Sequence, residues 1–205
     1  MKRIVFYSMV AVLLLTVAAC SKKEQPAGRC HIVGVAPNPS LEGKRIFLVP
    51  FSGPATAETV DSIEIHDGKF EFDTDTLMMA KILIDYHYRL GFQPLLVVVE
   101  PGEVKVVVDS ISSASGTPQN DSLQVWKEAT ERHNAQLVSL RKTNMNAQAD
   151  SIHLAYKKYT RQMAANMKEG LLHDFLNSLY PLTYQRKLSD GRTITVNADT
   201  NEEIK

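Results

Sequence analysis

The chain has 205 residues, of which 23 are Lys or Arg and 23 are Asp or Glu, so its formal net charge is zero. That balance lacks the basic excess of a nucleic-acid-binding domain, and the length allows one or two domains whose core needs no staples. The two cysteines, Cys20 and Cys30, leave no Cys-x-x-Cys redox pair and too few thiols for a zinc cysteine cluster.

Lys2 and Arg3 form a short basic start. Ile4 to Val17 is apolar except for Ser8 and Thr16, and Ala18-Ala19 follow. The pattern predicts a secretory signal peptide over residues 1–19, too short and wrongly flanked for a spanning helix. Val17-Ala18-Ala19-Cys20 resembles the lipobox of bacterial lipoproteins. The resemblance implies cleavage before Cys20, lipidation of its thiol and new amine, and the membrane as a partner through that lipid. Each buried methylene of an acyl chain contributes about 0.8 kcal/mol, so two or three chains give a long-lived anchor. With Cys20 so used, Cys30 has no intramolecular partner. It is expected to be buried rather than paired between chains. Loss of Lys2 and Arg3 leaves 21 basic against 23 acidic residues, a charge of −2.

Residues 20–29 are polar, with Pro26 and Gly28, and read as a tether. By resemblance to lipoprotein sorting, Ser21 and the run Lys22-Lys23-Glu24 imply the outer membrane and its periplasmic face.

From Cys30 the pattern is one of strands, and residues 30–119 are predicted to form a β-rich domain. Cys30–Val35 and Lys44–Val49 are short apolar runs separated by turn residues. Val60–Ile65 and Lys69–Phe72 alternate around His66-Asp67-Gly68, a hairpin signal because glycine takes the positive φ of the turn. Ala80–Tyr86 is a further strand. Leu95–Val99 and Glu103–Val108 are predicted as a second hairpin around Glu100-Pro101-Gly102. Seven strands without an intervening helix predict an antiparallel sandwich or small barrel.

Ile111–Gln119 is rich in small residues and reads as a linker. The period then changes. Leu123, Trp126, Thr130, His133, Leu137 and Leu140 recur at spacings of three and four, the seam of an amphipathic helix capped by Asn120 or Asp121. After a break at Asn144–Ala149, Asp150 is expected to cap a second helix with the seam Ile152, Tyr156, Tyr159, Met163 and Met167. Gly170 ends or kinks it, and Leu171–Leu179 continue it to Pro181. An antiparallel helical hairpin over residues 120–180 follows, giving an α+β fold. Residues 181–205 form a tail with a hairpin-like element, Arg186–Val196, around Asp190-Gly191.

Six short motifs occur in order. They are Gly34 in the first strand; Ile46-Phe47-Leu48-Val49; Val60-Asp61-Ser62; Asp67-Gly68-Lys69-Phe70-Glu71-Phe72; Val99-Glu100-Pro101-Gly102-Glu103; and Ser115-Gly116-Thr117-Pro118-Gln119-Asn120. Together they resemble the N-terminal β-rich domain of unknown function found on lipoproteins of Bacteroides-type bacteria. In many members that domain precedes a thioredoxin-like domain of the alkyl-hydroperoxide-reductase/thiol-specific-antioxidant group. The resemblance covers roughly Cys30 to Trp126, and no Cys-x-x-Cys follows it in this chain. The family's redox activity therefore transfers to no residue here.

No nucleophile elbow, phosphate-binding loop or dinucleotide fingerprint is present, so no catalytic residue and no cofactor is assigned. The six histidines, His31, His66, His87, His133, His153 and His173, form no His-x-x-x-His pair, and no metal site is expected. His133, on an apolar seam, is expected to be an interior histidine with a hydrogen bond. Tyr86, His87, Tyr88 and Arg89, next to Asp85, are the candidate ligand groove, since rings stack on a sugar or peptide while polar groups orient it. The plainer reading is a strand end with exposed tips. The sequence thus predicts a non-enzymatic, membrane-anchored envelope lipoprotein that binds an envelope protein partner. The alternative, resting on the resemblance, is an accessory to thiol-redox or peroxide defence beside a separate thioredoxin-like protein.

Overall fold

The structure, a computed structural model, describes residues 28–84 and 94–204. Eight strands come first: β1 (Cys30–Val35), β2 (Arg45–Pro50), β3 (Asp61–Glu64), β4 (Lys69–Thr74), β5 (Met78–Ile84), β6 (Leu95–Val99), β7 (Gly102–Val107) and β8 (Ser113–Ser115). Three helices follow, α1 (Pro118–Lys142), α2 (Asn146–Ala165) and α3 (Leu171–Leu179), then the strands β9 (Thr183–Lys187) and β10 (Thr193–Asn197). The fold class is α+β, as the switch of period predicts.

The eight strands make two four-stranded sheets, β4-β1-β7-β8 and β3-β2-β5-β6. Every pairing in them is antiparallel except β1 with β7. The alternation of each strand sends one set of side chains into a shared core. Ile32, Phe70, Phe72, Val104 and Val106 come from the first sheet, and Ile46, Leu48, Ala80, Ile82, Val97 and Val99 from the second. The two sheets close on each other as a sandwich, not as a barrel.

Both predicted hairpins turn out to be crossings between the sheets. Asp67 (φ 51°) and Gly68 (φ 65°) do form a two-residue turn, closed by reciprocal hydrogen bonds between His66 and Lys69. The Glu42 carboxylate accepts from the backbone N–H of both Asp67 and Gly68, at 2.9 and 3.0 Å. Those two bonds hold the carboxyl below its ordinary range. Yet β3 lies in the second sheet and β4 in the first, so His66–Lys69 is an isolated bridge. In the same way the turn at Glu100-Pro101-Gly102 carries the chain from β6 to β7 in the other sheet. Turn chemistry dictates the local bend. Which sheet receives the next strand depends on long-range pairing that no local pattern encodes.

β8 lies within the stretch read as a linker. Only Ala114 of its three residues is buried, too short a signal for alternation. The helical layer departs from a simple hairpin. α1 begins at Pro118 with Thr117 as N-cap, so Asn120 and Asp121 lie in its first turn rather than capping it. Pro118 at the first helical position explains the early start, its fixed φ being already helical. The break spans only Thr143–Met145, and Asp150 lies inside α2 rather than at its cap. Gly170, in extended backbone, separates α2 from a distinct third helix. A Cβ there would lie 2.9 Å from Gln119 Oε1.

α1 and α2 are antiparallel, and the cross-pairs Trp126–Thr160, Thr130–Tyr156 and His133–His153 show their register. The helices cover the outer face of the second sheet. Met79, Leu96 and Val98 point away from the sandwich core and pack with Leu123, Trp126, Ala164, Leu172, Phe175 and Leu176. β6 is therefore buried on both faces, which is why Leu95–Val99 has no polar residue. Trp126 is half-buried, edge-on to Phe175 at 5.7 Å, and its indole N–H donates to Thr160 Oγ1 at 3.3 Å. Trp126→Ala is expected to lower the unfolding free energy by about 3 kcal/mol, read as a shift in urea midpoint at unchanged slope. An unchanged midpoint would show that the helices are not docked through this ring.

The tail forms the two-stranded sheet β9–β10 around the Asp190-Gly191 turn, as expected. It is tied to α2 by Arg161, whose Nε donates to Tyr180 O at 2.7 Å and whose Nη1 pairs with Asp199. The guanidinium holds the Asp199 carboxyl below its ordinary range.

Candidate functional site

Cys20 and the groove candidates Tyr86, His87, Tyr88 and Arg89 lie outside the described residues. Cys30 is fully buried at the start of β1, and burial chiefly raises its thiol pKa. Among the described residues no group of three or more His, Cys, Asp or Glu is placed to hold a metal ion. His31 and His173 sit near the surface, each 2.9 Å from a carboxylate, Asp73 and Asp174 respectively.

The helical layer holds a site that the sequence did not single out. α1 contributes Ala129, Arg132, His133 and Gln136, and α2 contributes Ile152, Ala155, Tyr156 and Tyr159, to an open groove of about 440 Å³. Past Gln136 and Ile152 it continues along Ser139, Leu140 and Gln148. Its floor is a stack. The His133 ring lies flat on Tyr156, with centroids 4.2 Å apart and planes 3° apart. His133 Nε2 and His153 Nδ1 are 3.2 Å apart. Tyr180, after α3, presents its ring edge-on to both Tyr156 and His153, at 6.0 and 6.2 Å.

Proton donors can be assigned along this chain of groups. Thr130 Oγ1 donates to Trp126 O at 2.7 Å. Its only hydrogen is thereby used, so in the Thr130–Tyr156 contact of 2.5 Å the tyrosine hydroxyl donates. Tyr156 is thus fixed at both ring and hydroxyl. Burial, with a smaller effect from His153, pushes the His133 pKa below its ordinary value. Burial, and then Tyr156, pushes the Tyr180 hydroxyl up.

His133 is buried and hydrogen-bonded, as its place on the seam predicts. Its partner, His153, was missed because it lies beside the predicted seam of α2, next to Ile152. The signal lay in the register. The facing pairs Trp126–Thr160, Thr130–Tyr156 and His133–His153 all centre on residue 143, at the start of the connection, and that register sets His153 opposite His133. No carboxylate, serine nucleophile or thiol lines the groove beside the histidines. The arrangement offers aromatic and aliphatic walls with Arg132 and Gln136 as polar contacts, a surface for recognition.

Residues 30–123 match the family model of a domain of unknown function (DUF4369). The matched stretch begins at β1 and ends at Leu123, where α1 docks on β6. The groove between α1 and α2 lies wholly beyond it. No curated protein and no solved structure matches the chain.

Proposed function

We propose that this protein is a lipid-anchored accessory module of the bacterial cell envelope, held at the periplasmic face of the outer membrane, which binds a protein partner and performs no chemistry itself. The observation that carries the reading is the N-terminal sequence. A basic start, an apolar run and Val17-Ala18-Ala19-Cys20 are followed by a polar tether that leads directly into β1. The matched domain supports it, since the six motifs resemble a domain carried by lipoproteins. The groove supplies the binding half of the proposal, offering aromatic and aliphatic walls with Arg132 and Gln136 as polar contacts.

Cys20→Ala is expected to abolish labelling by a fatty-acid probe and to leave an uncleaved precursor. Continued labelling of that variant would sink the anchor. Photo-crosslinking from Gln136 in intact envelopes is expected to capture a partner, and loss of that adduct on Tyr159→Ala would place the partner in the groove. Rapid digestion by protease added to intact cells would move the protein from the periplasmic face to the cell surface.

A further inference from the structure

We infer that His133 and His153 form a proton-sensitive latch across the α1–α2 hairpin, closed while the pair carries at most one positive charge and opened when both rings are cationic. The facing nitrogens are 3.2 Å apart, the ring centroids 5.4 Å apart, and the planes inclined by 24°. Those values place the two nitrogens near the line joining the ring centres. That is the geometry of an N–H···N hydrogen bond, in which one nitrogen donates and the other accepts. A shared metal ion would instead need both lone pairs to converge on a point off that line.

A first added proton leaves the bond intact, since an imidazolium still donates to a neutral ring. A second places two N–H groups and two positive charges face to face, and the rings must part. His133 has no easy retreat, because it lies flat on Tyr156, which Thr130 holds. Parting therefore falls on the helices. The charged and titratable surroundings do not offset this. Arg132 from α1 and Tyr156 and Tyr159 from α2 stand on the groove wall. Tyr180 faces His153. On α2, Asp150 lies one turn before His153 and Lys157 one turn after it. Among the described residues Asp150 makes no ion pair with His153, and Lys157 points to Asp199 at 4.0 Å.

The sign follows from the site's preference for neutral His133. A histidine in the unfolded or opened chain takes its proton near pH 6.5. The latch's contribution is complete above that pH and is lost as pH falls through the lower value of the closed state. The segment it releases is the hairpin tip. Nearly every residue from Asn134 to Gln148 is exposed, Val138 and Met145 among them. Opening there widens the groove between Gln136 and Ile152.

Hydrogen exchange of the full chain at about pH 7.5 and about pH 5, corrected for intrinsic rates, tests the latch. In the unmodified protein, tip amides are expected to lose protection several-fold more than the sandwich core does. His133→Phe keeps a ring on Tyr156 but takes no proton, and its tip is expected to show no such pH-dependent loss. An equal loss in both proteins, or none in the unmodified one, would overturn the proposal. Imidazole titration by NMR needs no variant. Two coupled steps, the second well below the usual histidine value, are expected, and two independent titrations near the usual value would overturn it.

Discussion

Asn120→Leu is expected to lower the unfolding free energy by about 3 kcal/mol, which corresponds to a drop in Tm of roughly 6–12 °C for a chain of this size. Asn120 is fully buried on the first turn of α1. Its Oδ1 accepts from Val98 N at 2.9 Å, and its Nδ2 donates to Val98 O at 2.7 Å and to Thr117 Oγ1 at 2.8 Å. Among the described residues β6 is an edge strand, paired only with β5. At Val98 its outer edge would otherwise present a bare N–H and a bare C=O under the helices, out of reach of water. The amide of Asn120 meets both groups as the next strand of the sheet would.

Leucine is close in size and leaves both backbone groups buried and unpaired, a cost of about 1–3 kcal/mol each. Asn120→Asp keeps the acceptor but sets a carboxylate against the Val98 carbonyl, and is expected to be no less damaging at neutral pH. Thr117→Val removes one bond of the three and is expected to cost about 1 kcal/mol. Thermal and urea unfolding of the three variants measure the series. Equal, small losses in all three would show that Asn120 does not close the edge.

That role explains why Asn120 reads differently from the local pattern alone. An asparagine just before an apolar-periodic run reads as an N-cap. The competing physics was tertiary, a strand edge needing a partner, and no local signal reports it. The same division runs through the whole fold. Alternation places Phe70 and Phe72 in a strand, and short apolar runs do the same for Ile32, Ile46, Val97 and Val99, because burial on one or both faces writes itself into residue type. The turns at Asp67-Gly68 and Pro101-Gly102 were legible as turns and illegible as crossings, since a bend does not say which sheet receives the next strand. Gln119 is a similar case. It reads as the polar end of a linker. In the fold its backbone N–H and Nε2 donate to Glu100, at 2.8 Å each, and its Oε1 accepts from Leu172 N at 2.9 Å. One side chain thus ties the β6–β7 turn to α1 and to the start of α3. Of the groove, His133 on the first seam and Ile152, Tyr156 and Tyr159 on the second are legible as helix-seam residues. His153 needed the register of the hairpin.

Gly34→Val is expected to destabilise the sandwich by about 3–5 kcal/mol, the scale of losing a buried phenylalanine. Gly34 lies on β1, the strand between β4 and β7, directly opposite Phe70 of β4. The Phe70 ring fills the space that a side chain at residue 34 would take, for a Cβ built there would lie 1.9 Å from Phe70 Cζ. The ring is almost wholly buried and packs edge-on against Phe72 at 6.0 Å. It has nowhere to move without opening the core. The glycine is required here by close approach and not by backbone conformation, since its φ is not among the positive values.

Gly34 and Phe70 belong to two of the six motifs behind the family resemblance, and the sandwich makes them one structural unit, a cross-strand pair in which one residue supplies the ring and the other its berth. The pair is therefore expected to behave as coupled. Gly34→Ala should cost markedly less in a Phe70→Leu background than in the unmodified chain, a recovery of about 1 kcal/mol or more in a double-mutant cycle. Strictly additive losses, measured by urea unfolding of the two single variants and the double, would mean that the ring does not occupy the space above Gly34.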